Sequence, residues 1–336
     1  MSSVRSQQHK YFNKMTLLSG MVGSGKTYAI REIMKKKIPT NKTYIIQHTN
    51  DFGSLCEELK GNLIVVNNVV EINMFGFYPS HFKAGDYYAY LFDCHCKELF
   101  VFLKLLLERN MGDVEKVQLM STILEMYESV GITRERYKPN YKFVSNHLCF
   151  STFCEVIKER SKNLYEEFKT YSHLFLEDKN LSNYFEKKNM GLDLKNNLNL
   201  IYTNGMYSLA ALYSYLVAIK RKMRIDPEPT LLVVDEGFLF LRDEHLLETL
   251  ILNSGASSSQ TELLISVQSL TDLSSNLCEI LNAASRVILF RQSKNDISIL
   301  EDRLKLPKKV VDRTLLLLTG EAVVIENEHL YPIKYS

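Results

Sequence analysis

The pattern of apolar and polar positions changes twice along this chain. Short apolar runs, rich in β-branched residues and followed by polar helical stretches, fill the first 80 residues and return after residue 226. Between these two regions, apolar residues recur mostly at helical spacing. An alternation of short strands with helices is typical of a parallel sheet. The predicted strands are 15–20, 43–47, 62–67, 231–236, 262–268, 285–292 and 321–328.

The two patterns together predict one α/β domain that is discontinuous in sequence. Residues 1–82 and residues 221–336 form the two parts of a core with a central, mostly parallel sheet. Residues 83–220 form a mostly helical subdomain inserted between them. A chain of 336 residues is long enough for such an arrangement.

Composition places the chain among ordinary globular proteins, with 46% apolar and 24% charged residues. The net charge of +2 argues neither for nor against a nucleic-acid partner. The N-terminal stretch is polar and lacks the apolar segment of a signal peptide. The most apolar helical run, residues 99–107, is about half a membrane span and contains Lys104. We therefore expect a cytoplasmic protein with no membrane span of its own.

The six cysteines do not suggest a disulfide scaffold. Cys94, His95 and Cys96 form a local cluster, followed later by Cys149 and Cys154. These spacings are irregular compared with the C-x2-C spacing of structural zinc sites. Buried free thiols are the main interpretation, and a metal site is the alternative.

Residues 17–30, LLSGMVGSGKTYAI, contain a P-loop pattern between an apolar strand and a helix. The glycines let successive backbone N–H groups point at a phosphate, and the following helix presents its N-terminal dipole to the same anion. Lys26 would contact the β- and γ-phosphates of ATP, and the Thr27 hydroxyl would ligate Mg²⁺. A glycine-rich turn that matches by chance is the alternative. The predicted nucleotide-binding residues are Gly20, Gly23, Ser24, Gly25, Lys26, Thr27 and Tyr28.

Two later strands end in polar residues that suit ATP hydrolysis. Asp235 follows four apolar residues at the carboxyl end of a buried strand, where it would hold Mg²⁺. Glu236 would orient or deprotonate the attacking water. Gln268 ends the next strand, and its amide can donate and accept beside the γ-phosphate. A plain strand-capping residue is the alternative for Gln268. The predicted catalytic set is Lys26, Glu236 and Gln268.

The order of these motifs resembles the HerA/FtsK superfamily and, within it, the TraC-like ATPases of conjugative type IV secretion systems. VEINMFGF at 70–77 resembles the asparagine-phenylalanine segment of that family. LVVDEGFLFL at 232–241 resembles its Walker B strand, with Phe238 as the aromatic residue after the glutamate. SVQSLTDL at 266–273 resembles its glutamine motif, and the segment from 318 to 335 its closing strand pair.

The resemblance implies a RecA-like core that carries an all-α subdomain. It also implies hexamers at the cytoplasmic base of an inner-membrane secretion channel, where ATP turnover powers pilus assembly or substrate transfer. The implied partners are further copies of the chain and components of the channel, with peripheral association at the membrane.

The chain departs from the family pattern at three places. Residues 47–53 replace an acidic segment, for which Asp51 is a weak substitute. Residues 253–262 carry no positive charge where the family usually has an arginine that serves a neighbouring subunit. Arg286 and Arg291 are candidate replacements, although a strand arginine is more often a salt-bridge partner. We therefore expect a slow ATPase. Family members usually carry a further N-terminal domain, so a trimmed chain or a shortened relative is expected.

Other functions compete with the secretion motor. A DNA translocase or coupling ATPase of the same superfamily would need basic loops facing a pore. The densest basic run, residues 219–224, is interpreted as the solvated end of a helix, with contact to phosphate as the alternative. Nucleic acid is a possible partner that charge does not indicate. An assembly scaffold that binds ATP with little hydrolysis is a further alternative. A small-molecule kinase is the least favoured, since no arginine-rich lid follows the P-loop.

Overall fold

The protein folds into two compact units in a computed structural model. The sheet unit comprises residues 1–65, 194–205 and 226–336, and the helical unit comprises residues 66–193 and 206–225. The structure describes residues 14–66, 72, 74–77, 86–135, 148–176, 196–202, 209–225, 228–237, 241, 243–251, 261–273, 276–327 and 329–335.

The strands all belong to the sheet unit. They are β1 Lys14–Ser19, β2 Lys42–Gln47, β3 Asn62–Val65, β4 Leu198–Tyr202, β5 Thr230–Val234, β6 Thr261–Val267, β7 Arg286–Leu289, β8 Glu321–Glu326 and β9 His329–Lys334.

Some helices alternate with these strands along the chain and belong to the sheet unit, and the other helices form the helical unit. In chain order they are α1 Lys26–Lys37, α2 Gly53–Glu58, α3 Asp86–Leu106, α4 Asp113–Ser129, α5 Phe150–Arg160, α6 Lys162–Leu176, α7 Leu209–Ile225, α8 Glu244–Ile251, α9 Leu277–Ala283, α10 Ile297–Asp302 and α11 Lys308–Leu316.

In the described part of the chain, the strands form one sheet in the order β3-β4-β2-β5-β6-β1-β7-β8-β9. Neighbouring strands from β3 to β7 are parallel, whereas β8 and β9 add antiparallel to β7. All five residues of β5 and six of the seven residues of β6 are buried, as expected for a parallel sheet covered on both faces. The α/β, RecA-like fold class is thereby confirmed.

Each strand that the pattern predicted is present, and the described residues contain two more, β4 and β9, of which β9 was implied only by the resemblance to the family's closing strand pair. β4 lies within the range 83–220, where helical spacing dominates, and pairs with β2 and β3. A five-residue apolar run cannot be told from a piece of helix by its periodicity. Its second residue, Asn199, is buried and donates from Nδ2 to the carbonyl of Asn196 at 2.7 Å. That polar residue interrupts the apolar run from which a buried strand is usually predicted.

Aromatic side chains fill the interior of the helical unit. Phe77 packs on Phe92 at 5.6 Å and on His95 at 4.9 Å between ring centroids. Phe153 meets Phe168 edge-on at 5.1 Å. Phe75 and Phe77 come from the segment 70–77, which sequence alone placed just ahead of the helical subdomain. All of these phenylalanine side chains are buried.

His95 belongs to a polar network inside the helical unit. Arg221 Nη2 lies 2.8 Å from His95 Nδ1, and His95 Nε2 lies 2.5 Å from the hydroxyl of Tyr127. Because a guanidinium can only donate, Nδ1 accepts and Nε2 carries the proton. The Tyr127 hydroxyl donates in turn to the carbonyl of Phe75 at 2.7 Å. Arg221 is also paired with Glu98 at 3.0 Å.

The cysteine cluster consists of free thiols in the described structure. Burial raises the pKa of the Cys96 and Cys154 thiols to about 12, so both are protonated at neutral pH. Over the described residues, no group of three His, Cys, Asp or Glu side chains is placed to hold a metal ion. The same residues contain no helix with the length and apolar character needed to cross a membrane.

Replacing Tyr127 by phenylalanine should lower the free energy of unfolding by about 1–3 kcal/mol. The change keeps the ring but removes the hydroxyl that links His95 to the carbonyl of Phe75. Chemical denaturation of the two proteins measures the difference. Tyr165→Phe is the matched control, because Tyr165 is half-buried and the contacts described for it, with Lys158 and Lys169, are to its ring. Equal stability of the Tyr127 variant would show that the network contributes nothing.

Candidate active site

The P-loop links the end of β1 to the start of α1. Gly23 and Gly25 adopt positive φ angles of 74° and 101°. A Cβ at Gly25 would lie 2.7 Å from the backbone nitrogen of Gly320, so both its conformation and its surroundings require glycine there. α1 begins at Lys26 directly after this turn. Its free N–H groups are the anion-binding end of the helix.

The loop is anchored to the two strands that flank β1. The N–H of Gly20 donates to the carbonyl of Val267 at 3.3 Å, and the N–H of Met21 donates to the carbonyl of Arg291 at 2.8 Å. A Cβ at Gly20 would lie 2.6 Å from Cβ of Phe290. The loop is therefore held by backbone contacts on both sides.

A cleft of about 320 Å³ opens beside the loop. Its size lies at the lower end of the range for small-molecule sites. Gly20 and Ser24 do not line it, and Ser24 is 1% exposed. The other predicted nucleotide-binding residues line it, together with residues from three strand ends and a late turn: Val22, Gly23, Gly25, Lys26, Thr27, Tyr28, Asp51, Asp235, Glu236, Ser266, Val267, Gln268 and Thr319.

Lys26 is held at the loop by carbonyl groups. Its Nζ donates to the carbonyl of Gly20 and, at 3.1 Å, to the carbonyl of Met21. Burial lowers the pKa of the Lys26 ammonium from its ordinary value, and the nearby charges of Asp235 and Glu236 offset part of that effect. A bound polyphosphate would favour the charged form further.

Asp235 follows β5 and is 5% exposed. Its backbone N–H donates to the carbonyl of Ile46 at 2.9 Å, and its Oδ1 accepts from the Ser266 hydroxyl. Burial raises the pKa of the Asp235 carboxyl, the neighbouring charges of Glu236 and Asp51 raise it further, and the Ser266 hydroxyl opposes them. A nearby cation would restore the ionised form.

The donors in the cleft fit Mg²⁺. The Thr27 hydroxyl and the Asp235 carboxylate line the same space and offer the oxygen ligands that this ion prefers.

Glu236 stands in an unusual backbone conformation with φ of 53°. A non-glycine residue keeps such a conformation only where its surroundings fix it. Here the Glu236 N–H donates to the Ser266 hydroxyl at 3.2 Å, and Glu236 Oε1 accepts from Gln268 Nε2 at 3.0 Å. Gln268 thus orients the Glu236 carboxylate within the cleft. The sequence placed these two side chains at neighbouring strand ends, and the structure brings them into contact.

The two candidate arginines do not line the cleft. Arg286 is paired with Glu326 on β8, with nitrogen–oxygen distances of 3.0 and 2.5 Å. Arg291 contributes its backbone carbonyl to the P-loop anchor. Among the described lining residues, Lys26 is the single cation beside three carboxylates. Phe238 and most of the segment 253–262 lie outside the described residues.

Two residues of the site carried no signal in the sequence. Ser266 donates to Asp235 and accepts from the N–H of Glu236, so it bridges both acidic residues. A serine beside apolar residues of β6 does not by itself indicate a role in the site. Thr319 lines the cleft and donates to the carbonyl of Gly23 at 3.1 Å. It comes from a turn distant in sequence, for which no local pattern exists.

No protein-family model and no curated protein matches the sequence. Solved structures do match. VirB4 of Thermoanaerobacter pseudethanolicus is 18% identical, and the match covers 96% of this chain and 89% of that chain with a TM-score of 0.74. The plasmid coupling protein TrwB in complex with ADP and Mg²⁺ is 13% identical, with 96% and 85% covered and a TM-score of 0.57. TrwB with the non-hydrolysable GTP analogue GDPNP is 12% identical, with 96% and 86% covered and a TM-score of 0.59.

These matches confirm the resemblance at the level of the fold. The chain has the fold of VirB4 and of the TrwB coupling protein along nearly its whole length. The cleft lies at the carboxyl ends of β1, β5 and β6, where parallel α/β sheets bind their ligands.

Proposed function

We propose that this chain is an ATP-hydrolysing motor that energises a conjugation or type IV secretion machine. One observation carries the proposal: Glu236, oriented by Gln268, shares a cleft with Lys26 of the P-loop. A P-loop alone binds nucleotide, but a positioned carboxylate beside it suits activation of water.

Each residue of the cleft has a role in this proposal. The N–H groups of the P-loop and the Lys26 ammonium bind the β- and γ-phosphates of ATP. Thr27 and Asp235 hold Mg²⁺, which neutralises phosphate charge when bound. Glu236 accepts a proton from the attacking water. Gln268 keeps the Glu236 carboxylate in place and lies near the γ-phosphate.

The kind of machine is proposed from the motif resemblance together with the similarity of fold. VirB4 gives the higher TM-score of the neighbours reported above, and TrwB is described as a plasmid coupling protein. A secretion motor is therefore preferred to a DNA translocase. Further copies of the chain and channel components are the proposed partners, with a hexamer as the proposed assembly at the cytoplasmic face of the membrane.

An assembly scaffold with little turnover is the second candidate. It is favoured by the charge of the described cleft, where one ammonium group faces three carboxylates. Stabilisation of the transition state by an arginine is worth several orders of magnitude in rate in related reactions. A site without such an arginine binds nucleotide and turns it over slowly.

Steady-state ATP hydrolysis across protein concentration separates these functions. The secretion motor predicts a Mg²⁺-dependent rate per subunit that rises as the protein oligomerises. Addition of single- or double-stranded DNA should leave that rate unchanged. Stimulation by DNA of about tenfold or more would replace the proposal with a translocase. Tight ATP binding without turnover at any concentration would favour the scaffold.

A further inference from the structure

The P-loop has a second support, which comes from the turn before β8. Thr319 Oγ1 donates to the carbonyl of Gly23 at 3.1 Å, and the Gly320 N–H donates to the carbonyl of Ser24 at 3.0 Å. Both carbonyls lie in the part of the loop where the chain takes positive φ angles. The turn thus holds the stretch of the loop that faces the cleft.

A hydrogen bond that fixes a backbone carbonyl also fixes the N–H of the following residue, because both groups belong to the same peptide plane. In a trans peptide the C=O and the following N–H point in opposite directions. The bond from Gly320 to the Ser24 carbonyl therefore directs the Gly25 N–H away from the turn. The bond from Thr319 to the Gly23 carbonyl fixes the preceding peptide plane, whose Ser24 N–H donates to the Met21 carbonyl at 3.2 Å.

The turn is itself held from the end of β9. The Tyr335 N–H donates to the carbonyl of Gly320 at 2.9 Å, and a Cβ on Gly320 would lie 2.6 Å from the Tyr335 carbonyl oxygen. The Tyr335 ring stacks on Phe290 at 5.8 Å with an interplanar angle of 28°. Phe290 in turn packs against Gly20 at the start of the P-loop. The contacts close a ring around the loop.

We propose that Thr319, Gly320 and Tyr335 form a strap that positions the P-loop for the nucleotide phosphates. Thr319 and Gly320 are positioning residues, because they act through the carbonyls of Gly23 and Ser24. The inference rests on the proposed nucleotide-binding function of the cleft. It adds that affinity for phosphate depends on a turn near residue 320, which lies in the segment 318–335 and outside the P-loop, Walker B and glutamine motifs from which the site was predicted.

The test uses Thr319→Val, which keeps the shape of the side chain and removes its hydroxyl. The dissociation constant for ADP with Mg²⁺, measured by titration calorimetry, should rise about three- to tenfold. Thr319→Ser should return it to the wild-type value. Thr40→Val is the matched control, since the Thr40 hydroxyl also donates to a backbone carbonyl, that of Lys37, but Thr40 does not line the cleft.

Amide hydrogen exchange of the nucleotide-free protein gives an independent readout. The Ser24 and Gly320 amides should exchange faster in Thr319→Val than in the wild type, and at the wild-type rate in Thr319→Ser. Unchanged ADP affinity and unchanged exchange in Thr319→Val would overturn the strap. Failure of the wild type to bind ADP would contradict the proposed function, whereas the exchange rates would still decide whether the strap holds the loop.

Discussion

Glu236→Gln should lower kcat for ATP hydrolysis by about 10²–10⁴-fold, the usual contribution of a positioned general base. The amide cannot take a proton from water at neutral pH. It keeps the size of the carboxylate, and its oxygen can still accept from Gln268 Nε2, which lies 3.0 Å from Glu236 Oε1 in the native protein. ATP affinity should therefore stay close to that of the wild type. Single-turnover hydrolysis and equilibrium ATP binding measure the two quantities separately.

The control for Glu236→Gln is Glu279→Gln, the same substitution at an exposed position of α9. It should leave both rate and affinity unchanged. A Glu236 variant that keeps more than a tenth of the wild-type rate would show that the carboxylate is not the base. A variant that loses ATP binding as well would show that Glu236 supports the fold of the cleft rather than the chemical step.

Lys26→Ala should weaken ATP binding by about 10–100-fold, because hydrogen bonds to charged groups contribute roughly 1.5–3 kcal/mol. Burial lowers the pKa of the native Lys26 ammonium, so its positive charge contributes little to the stability of the nucleotide-free protein. Thermal unfolding separates the two roles. Without nucleotide, the Tm of the variant should equal or exceed that of the wild type. With saturating ATP, the rise in Tm that ligand binding gives the wild type should be reduced or lost.

Lys36→Ala serves as the matched control for Lys26→Ala, since Lys36 is exposed on the same helix. It removes one positive charge without touching the cleft. Equal losses of affinity in both variants would mean that general charge, and not the P-loop position, attracts the nucleotide. A Lys26 variant that unfolds at lower temperature without nucleotide would contradict the assignment of this side chain to binding alone.

The parts of the site that the sequence predicted are those whose residues form a recognisable pattern within a short stretch of the chain. Gly20, Gly25 and Lys26 belong to one loop between β1 and the start of α1, so their spacing can be recognised within a short stretch of sequence. Asp235 and Gln268 were predicted as site residues because α/β sheets bind their ligands at the carboxyl ends of the strands. β5 and β6 are neighbours in the sheet, so these two strand ends lie side by side. The contact between Glu236 and Gln268 needs only that adjacency.

The parts that the sequence did not predict depend on tertiary pairing. Thr319 and Gly23 are 296 residues apart, and no feature of the sequence near either residue predicts their hydrogen bond. Ser266 has a role only because β6 lies beside β5 and its hydroxyl reaches Asp235. β4 was missed for a similar reason, since a short run containing Asn199 becomes a strand only between β2 and β3.

The position of β1 in the sheet has a consequence for how the protein is made. β1 is translated before both of its neighbours, because Leu17 pairs with Ile265 and Val287, which lie much later in the chain. At about 5–20 residues per second, β1 waits roughly ten seconds or longer for its neighbours. Leu17 and Leu18 are fully buried in the finished protein, so both are exposed during that interval. The nascent chain is therefore expected to depend on chaperones, and its nucleotide site forms only after the last strands have been synthesised.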